Sequence, residues 1–302
     1  MNLPARTVRS WQLRTRAMEL GTRTLVMGVV NVTPDSFSDG GAFANRDAAV
    51  SRCLQCLEEG ADILDLGGES TRPGTSAGGE EPAVSTEHEQ ERVLPVLKAV
   101  LKAEPQAVIS VDTYKAPTAR AALDAGAEII NDISGFTWDA EMAGACAEGR
   151  AGVVLMHTRG RPQEWRTQQQ LAPEAVLAMV RDGLLCSLSI AELAGIRREA
   201  VVLDPGYGFG KRFGENFSLL KRQPELLPLG YPLLAGISRK SFLGHTLAPL
   251  YGGKVAPVDA RENASLAGMV AAILNGASIV RVHAVRPAVE AARIADALLA
   301  AG

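Results

Sequence analysis

Short apolar runs that end in glycine or in a polar residue recur along the chain. Between them lie longer stretches in which apolar residues are three or four positions apart. The run at 61–66 is typical: it holds two aspartates, stops at Gly67 and Gly68, and continues into a polar loop. An apolar run without strict alternation is typical of a strand covered on both faces, whereas the longer spacing indicates helices that bury one face.

This alternation predicts eight strands, each followed by a helix. Strands are predicted at 25–31, 61–66, 107–111, 128–130, 152–156, 200–203, 232–237 and 277–282. Helices are predicted at 47–60, 86–103, 115–125, 139–148, 173–194, 215–227, 261–275 and 286–300. Glycines that follow several of these helices suit the left-handed conformation that ends a helix, as at Gly60, Gly126, Gly195 and Gly276.

Eight β-then-α units favour an α/β fold with a parallel sheet, closed into a single-domain (β/α)8 TIM barrel. An open doubly wound sheet is the competing architecture. We favour the barrel because every predicted strand ends in a chemically reactive or polar residue, as expected when all βα loops face one mouth. Residues 5–24 alternate polar and apolar, which predicts a short β-hairpin. We therefore expect a hairpin extension over 1–24 and a barrel over 25–302.

Composition narrows the class of protein. The chain has 302 residues, of which 47% are hydrophobic, and a formal net charge of -3 without a long basic run. Nucleic acid is therefore not an expected partner. No apolar stretch reaches the ~18 residues of a membrane span, the first residues lack the apolar segment of a cleaved signal, and four cysteines do not suggest a disulfide framework. We expect a soluble cytoplasmic protein with no membrane partner.

The polar residues at the strand ends fall into two chemical groups. One would suit a flat heterocycle rich in N–H donors, because buried carboxylates need hydrogen-bonding or charged partners; it contains Asp65, Asp112, Asn131, Asp204 and Lys240. The other would suit a phosphate, because arginine presents forked donors to it; it contains Thr71, Arg72, Arg281 and His283, with Asn31. Any one Asp or Asn could instead be a helix cap or a turn residue, as we expect for Asp132. Eight such ends at one mouth are not explained in that way.

Two further patterns are interpreted as structural. The glycine-rich stretch 206–211 departs from the nucleotide-binding fingerprints, so we interpret it as a rigid turn. Cys53 and Cys56 have redox spacing, but they fall on the apolar stripe of a predicted helix and are interpreted as buried structural thiols.

Taken in order, these motifs resemble the dihydropteroate synthase family, a group of pterin-binding barrels. The resemblance covers about 25–300, and its most specific parts are the stretches around Asn31-Val32-Thr33-Pro34-Asp35, Asp65 to Gly74, and Ser238-Arg239-Lys240. Shorter matches lie at 110–113, 130–133, 155–157, 203–211 and 280–283.

The resemblance implies an activity. Such enzymes join 4-aminobenzoate to (7,8-dihydropterin-6-yl)methyl diphosphate, which releases diphosphate and gives 7,8-dihydropteroate for folate synthesis by an SN1-like route. By the family pattern, the pterin is held by Asp112, Asn131, Asp204 and Lys240. The diphosphate is held by Thr71, Arg72, Arg281 and His283. Mg2+ is the implied cofactor with Asn31 as its contact, and a homodimer is the implied assembly.

The same resemblance implies how aminobenzoate is bound. Phe37, Pro73, Phe209 and Ser238 are expected around it, and the catalytic residues are expected to be Asp35, Lys240 and Arg72. Sulfonamides, as aminobenzoate mimics, are expected to inhibit.

Three other functions remain open from the residues. A pterin-binding methyltransferase-type barrel would share the aspartates and Asn131, but it would not explain Thr71 to Pro73. A Schiff-base aldolase could use Lys240, with Arg239 lowering its pKa, but it would leave the phosphate-binding group unexplained. A barrel without activity could bind pterin or a protein partner only, which the presence of Asn31, Asp35, Arg281 and His283 argues against.

Overall fold

Eight parallel strands close into a barrel in the computed structural model of the chain, which describes residues 4, 6–32, 41–69, 77 and 84–301, with backbone alone at 41–45. The barrel order is β10-β3-β4-β5-β6-β7-β8-β9. The strands are β3 (Leu25–Asn31), β4 (Ile63–Gly67), β5 (Ile109–Asp112), β6 (Ile129–Asp132), β7 (Gly152–Met156), β8 (Val201–Asp204), β9 (Leu233–Ala235) and β10 (Ala277–Val282). The closed barrel is confirmed, and the open-sheet alternative is excluded.

Helices surround the barrel between the strands. They are α1 (Gly41–Glu58), α2 (Thr86–Ala103), α3 (Ala116–Asp124), α4 (Met142–Glu148), α5 (Pro173–Leu193), α6 (Phe213–Arg222), α7 (Ser241–Thr246), α8 (Glu262–Leu274) and α9 (Val285–Ala300). None of the helices in the described part of the chain has the length and apolarity to cross a membrane. The glycines at 60, 126, 195 and 276 have φ between +80° and +110°, as expected for helix stops.

One predicted helix has different limits in the structure, and one short helix was not predicted. The helix predicted at 215–227 ends at Arg222 and continues as a 3-10 helix over Gln223–Leu229, where Pro224 and Pro228 remove backbone donors. The short helix α7 was not predicted, because its six residues are too few to show a helical period.

Side chains inside the barrel form two layers of different chemistry. The lower layer is apolar and contains Met27, Ile63, Val108, Ile129, Val154, Val202, Leu234 and Ile279. Alternate residues of a strand point to the same face, so the residues two positions further on form the next layer. That layer contains Asp65, Ser110, Asn131, Asp204 and Arg281. Five of the eight strands therefore contribute one side chain to the apolar core and another, two positions further on, to a polar mouth.

The N-terminal hairpin closes the lower end of the barrel. Its strands, β1 (Arg9–Gln12) and β2 (Ala17–Leu20), pair antiparallel, as predicted. Trp11, Leu13 and Leu20 are almost fully buried and belong to the same cluster as the apolar layer of the barrel. The Trp11 indole Nε1 donates to the carbonyl oxygen of Ala200 at 2.9 Å. The hairpin thus shares the barrel core.

Two carboxylates, one buried and one partly buried, fix the start of the chain to the barrel. Glu128 accepts a hydrogen bond from the backbone N of Thr15 in the hairpin turn at 2.9 Å. Asp296 in α9 accepts from the backbone N of Thr24 at 2.9 Å and from its hydroxyl at 2.7 Å, and it pairs with Arg6 at 2.8 Å. The last helix therefore holds the entry to β3 in place.

We expect Trp11→Ala to lower the free energy of unfolding by about 3–5 kcal/mol, because it leaves a large cavity in the core and an unpaired carbonyl at Ala200. Urea unfolding followed by circular dichroism measures the change. Glu19→Ala, an exposed position in the same hairpin, is the matched control and should change the free energy by less than about 0.5 kcal/mol. Equal stability of the two variants would show that the hairpin does not contribute to the core.

Candidate active site

The polar layer lies at the carboxyl ends of the barrel strands, where the predicted strand-end residues come together. Asp65, Asn131 and Asp204 are buried, with exposed fractions of 0%, 4% and 5%. In the sheet register Asp112 lies beside Gly67 on one neighbouring strand and Asn131 on the other. The expectation that these side chains share one mouth is confirmed.

Asp65 is the centre of a hydrogen-bond network across four strands. Its Oδ1 accepts from the Ser110 hydroxyl at 2.6 Å. Its Oδ2 accepts from the Asn131 side-chain amide at 3.1 Å and from Arg281 Nε at 2.6 Å. A carboxylate with no exposed surface is stable only when such donors surround it. Asp65 therefore orients two of the predicted ligand-binding side chains.

Arg281 joins the acidic group. Besides Asp65, its NH2 donates to Asp112 Oδ2 at 2.6 Å. Sequence analysis places Arg281 with the expected phosphate-binding residues, because the strand ends alone do not show which side chains meet across the barrel. In the structure its guanidinium orients Asp112, and its predicted contact with diphosphate stays a prediction.

Burial shifts the protonation of this cluster. It raises the pKa of Asp112 to about 7, although the charge of Arg281 acts in the opposite direction. It also raises the pKa of Asp204, against a hydrogen bond of 2.7 Å from the backbone N of Gly206. Burial lowers the pKa of Arg281, but Asp65 and Asp112 outweigh this effect and keep it charged. Carboxyl groups held in this way favour ligands that donate N–H groups.

Lys240 lies over the ring of Phe209. Its Nζ is 3.9 Å from the ring centroid, which is a cation–π distance. Burial, followed by the positive charge of Arg281, lowers the pKa of Lys240 to about 7, while Asp204 and Asp112 raise it. Arg239 is not a cause, because its guanidinium turns to Glu262, 3.3 Å away. The lysine can therefore exist as ammonium or amine near neutral pH.

The loop that carries Lys240 is held in a strained conformation. Arg239 has a φ of 60°, which is unusual for a residue other than glycine. Its backbone N donates to the Ser265 hydroxyl at 2.9 Å, and its carbonyl accepts from Arg261 NH1 at 3.0 Å. Arg261 and Ser265, at the start of α8, thus fix the direction of Ser238 and Lys240.

Ser238 and His283 form a second pair at the mouth. The serine Oγ is 3.0 Å from His283 Nδ1, and it accepts from the His283 backbone N at 3.3 Å. Arg52 in α1 donates to the carbonyl oxygen of His283 at 2.8 Å. No pattern in the sequence indicates Arg52, which lies 231 residues before His283 on a helix interpreted as core packing.

The loop after β8 is rigid, which supports its interpretation as a turn. The buried Lys211 ammonium donates to the carbonyl oxygens of His157, Gly206 and Phe209 at 2.9, 2.7 and 3.3 Å. Burial places the pKa of Lys211 well below its usual range. Gly206 has a φ of +70°, and a Cβ there would lie 2.0 Å from the His157 carbonyl oxygen. Only glycine fits at this position, so the loop places Phe209 in one orientation.

Two further structural interpretations are confirmed. Asp132 is fully buried and caps its own loop, accepting from the backbone N of Ser134 at 2.7 Å and of Phe136 at 2.8 Å. Cys53 and Cys56 are fully buried, and burial raises the pKa of Cys53 to about 12, so its thiol stays protonated.

Five predicted site residues lie outside the described residues: Asp35, Phe37, Thr71, Arg72 and Pro73. Asn31, the predicted contact of Mg2+, has an exposed side chain at the mouth. A Cβ added at Gly67 would lie 3.8 Å from Asn31 Oδ1 and 3.7 Å from Asp112 Cβ, so Gly67 leaves space between them.

Within the described ranges, no group of three or more Asp, Glu, His or Cys side chains could enclose a metal. Mg2+ commonly keeps several waters and takes one or two protein oxygens together with substrate phosphates. The accessible Asn31 carbonyl fits such a partial site.

Asp65→Asn is expected to lower the free energy of unfolding by about 3 kcal/mol, because it leaves the partly buried Arg281 with one carboxylate instead of two. Ser110→Ala, which removes a single donor to the same carboxylate, should lower it by about 1 kcal/mol. Guanidinium unfolding curves of both variants give the comparison. Wild-type stability of Asp65→Asn would contradict the central role of this carboxylate.

The sequence and the fold of this chain are similar to those of known pterin-binding enzymes. The family model described as "Pterin binding enzyme" matches residues 27–283. A dihydropteroate synthase from Mycobacterium leprae is 44% identical over 277 residues, covering 92% of this chain and 94% of the relative.

Two solved structures are also similar. Dihydropteroate synthase from Xanthomonas albilineans with 4-aminobenzoic acid has a TM-score of 0.85 at 39% identity, covering 97% of this chain and 99% of that one. The Yersinia pestis dihydropteroate synthase in a sulfonamide complex has a TM-score of 0.85 at 36% identity, covering 97% and 100%. Each match extends over nearly the whole length of this chain and of the similar chain. The chain therefore belongs to the pterin-binding enzyme family, and within it to the dihydropteroate synthases.

Proposed function

We propose that this protein condenses 4-aminobenzoate with (7,8-dihydropterin-6-yl)methyl diphosphate to give 7,8-dihydropteroate and diphosphate. The observation that carries the proposal is the polar layer, in which buried carboxyl groups, an amide and Lys240 line a mouth above an apolar core. The relatives are named dihydropteroate synthases, and one of them was solved with 4-aminobenzoic acid. A flat ring with an amino-amide edge supplies the N–H donors that such a mouth needs.

In this proposal the pterin lies among Asp112, Asn131, Asp204 and Lys240. The two aspartates accept from its N–H groups, and Asn131 can both donate and accept. Asn131 already donates to Asp65, which leaves its side-chain oxygen free to turn toward a ring donor. The Lys240 ammonium suits a ring carbonyl, and Phe209 beside it supplies an apolar face.

The diphosphate is assigned to Arg281, His283, Thr71 and Arg72, with Asn31 toward the cofactor. Mg2+, when bound, supplies Lewis-acid stabilisation of charge on the departing oxygens. His283 is oriented for this role by Ser238 at its ring and by Arg52 at its carbonyl. The pterin can delocalise the positive charge left at its methylene carbon, which favours loss of diphosphate before the amine attacks.

Aminobenzoate is assigned to Phe37, Pro73, Phe209 and Ser238, and Asp35 is assigned to stabilise the cation. Exclusion of water would matter in such a reaction, because water competes with the amine for the cation. Arg72 would hold charge that develops during the same step.

The proposal includes a homodimer and a cytoplasmic location. Several large apolar side chains on α6 and in the segments after α7 are exposed, namely Phe213, Phe217, Leu250, Tyr251, Val255 and Val258. Phe217 packs on Phe242 of α7 with ring centroids 5.2 Å apart, which places the exposed face of α6 beside α7. A second copy of the chain would cover them. The four free cysteines fit a reducing compartment.

The direct test is release of diphosphate from the pterin diphosphate. We expect release that requires both Mg2+ and 4-aminobenzoate, with 7,8-dihydropteroate formed in equal amount. A sulfonamide should compete with 4-aminobenzoate. Chelation of Mg2+ and omission of 4-aminobenzoate are the controls.

Asp204→Asn should lower kcat/KM by about 100-fold, because the amide is a weaker acceptor for the N–H groups of the pterin than the carboxylate.

The rival pterin-binding methyltransferase would give a different result. It would bind a dihydropterin but would release no diphosphate, with or without 4-aminobenzoate. That outcome would overturn the proposed reaction while leaving the pterin site in place.

The pKa of Lys240 generates a prediction about pH. Between pH 6 and pH 8 the wild-type lysine loses its charge as pH rises through about 7, so affinity for a dihydropterin without the diphosphate should fall. In Lys240→Arg the guanidinium stays charged, and this loss of affinity should disappear. Asp112 also titrates in this range, so the difference between the two proteins isolates the lysine. Fluorescence titration at each pH provides the affinities; parallel curves would contradict the assignment.

A further inference from the structure

A cavity lies at the lower end of the barrel, opposite the polar mouth. Its volume is about 610 Å³, within the range of about 300–1,000 Å³ that is usual for small-molecule sites. Ala151 and Ala200 line it and directly precede β7 and β8, so it lies at the amino ends of these strands. The turn of the N-terminal hairpin and the C-terminal ends of α4 and α5 form its other walls.

The lining of this cavity is positively charged. Its fourteen described residues include four arginines and neither aspartate nor glutamate, although the chain as a whole has a formal net charge of -3. Arg14 and Arg16 come from the hairpin turn, Arg150 follows α4, and Arg197 follows α5. Like charges that three parts of the chain bring together repel one another, so their arrangement favours an anion between them.

Most of these arginines have no partner within the described part of the chain. Arg16 is the exception: its Nε is 3.3 Å from Glu128 Oε1. The backbone N of Thr15 donates to the same carboxylate at 2.9 Å, which fixes the turn between the two strands of the hairpin. The other three make no ion pair or side-chain hydrogen bond with any described residue: Arg14, Arg150 and Arg197. Their donors are available to a ligand.

Arg150 occupies a position that the chain elsewhere gives to glycine. It has a φ of 53°, and the backbone N of Ala151 donates to the carbonyl oxygen of Cys146 at 3.0 Å, as in a Schellman helix end. The residue with this left-handed conformation after α1, α3, α5 and α8 is glycine, at 60, 126, 195 and 276. A Cβ is unfavourable in this conformation. The chain therefore accepts an unfavourable backbone where it places this guanidinium.

We infer that the cavity binds a small molecule that carries two or more linked phosphate groups. Guanidinium groups donate in forks that match phosphate oxygens, and here they approach from three parts of the chain. The concave shape and the volume suit a small molecule, and Leu13, Ile196 and several alanines supply apolar walls. Such a ligand joins the hairpin to α4 and α5, so it stabilises the folded barrel. The inference is independent of the proposed reaction.

A purely structural role for these arginines makes a different prediction. Arg150 and Arg197 follow the C-terminal ends of α4 and α5, where a positive charge is favourable by itself. In that case each arginine would stabilise the protein without any ligand, and no polyanion would bind at this end of the barrel.

The test measures binding of inorganic tripolyphosphate and of ATP to the full-length protein by calorimetry, in metal-free buffer. Arg150→Gly and Arg14→Gln each remove one charge from the cavity. Arg293→Gln, at an exposed position on α9 outside the cavity, removes the same charge elsewhere and is the matched control. Thermal unfolding and amide hydrogen exchange are measured with and without tripolyphosphate.

Wild-type protein should bind one tripolyphosphate, and each cavity variant should weaken this binding by about tenfold, as expected for loss of a charge-assisted hydrogen bond. Arg293→Gln should stay within about twofold of wild type. Tripolyphosphate should slow exchange in peptides that cover 12–17, 146–151 and 195–200. Arg150→Gly without ligand should raise Tm by about 1–2 °C, because glycine suits the left-handed conformation.

An affinity for ATP equal to that for tripolyphosphate would assign recognition to the phosphate chain, and tighter binding of ATP would assign the site to a nucleotide; both support the inference. Absence of binding at millimolar tripolyphosphate would overturn it. So would equal weakening in Arg293→Gln, which indicates attraction to net charge alone, or wild-type affinity in both cavity variants, which places the anion elsewhere. A lower Tm of Arg150→Gly together with unchanged binding would establish the structural role instead.

Discussion

A single carboxylate without solvent contact organises the mouth of this barrel. Asp65 must be surrounded by donors, and it takes them from β5, β6 and β10 at once. These donors include Asn131 and Arg281, and Arg281 in turn orients Asp112. The positions of the ligand-binding groups thus follow from the need to compensate one buried charge. A substitution at Asp65 would therefore displace Asn131 and Arg281 directly, and Asp112 through Arg281.

The two layers inside the barrel separate stability from chemistry. The apolar layer and the hairpin beneath it supply burial, whereas the layer above consists of groups whose burial is unfavourable by itself. Residues two positions apart on the same strand therefore have opposite energetic effects. The apolar layer supports the strands that carry the strained Arg239 loop and the buried carboxyl groups, and loops rather than strands carry Phe209, Ser238 and Lys240.

Much of the fold could be predicted because each strand and helix has a local signature. The strands at 25–31, 152–156 and 277–282 and the helix at 86–103 have the predicted limits, and the polar strand ends do meet at one mouth. The pairing of Arg281 with Asp65 and Asp112 could not be predicted, because it depends on the tilt of strands around the barrel. The support of His283 by Arg52 and of Arg239 by Ser265 likewise joins residues that no local pattern connects. Local sequence identifies the groups, and closure of the barrel decides their partners.

Closure of the barrel also affects how the chain folds during its synthesis. The first strand of the barrel, β3, pairs with the last, β10, and α9 near the C-terminus binds the residues that lead into β3. During synthesis the ribosome releases β3 long before either partner exists, so its edge stays unpaired until almost the entire polypeptide has emerged. Newly made chains of this protein are therefore expected to depend on chaperones that shield the N-terminal third, and a nonsense codon anywhere before β10 would yield a product that cannot complete its ring.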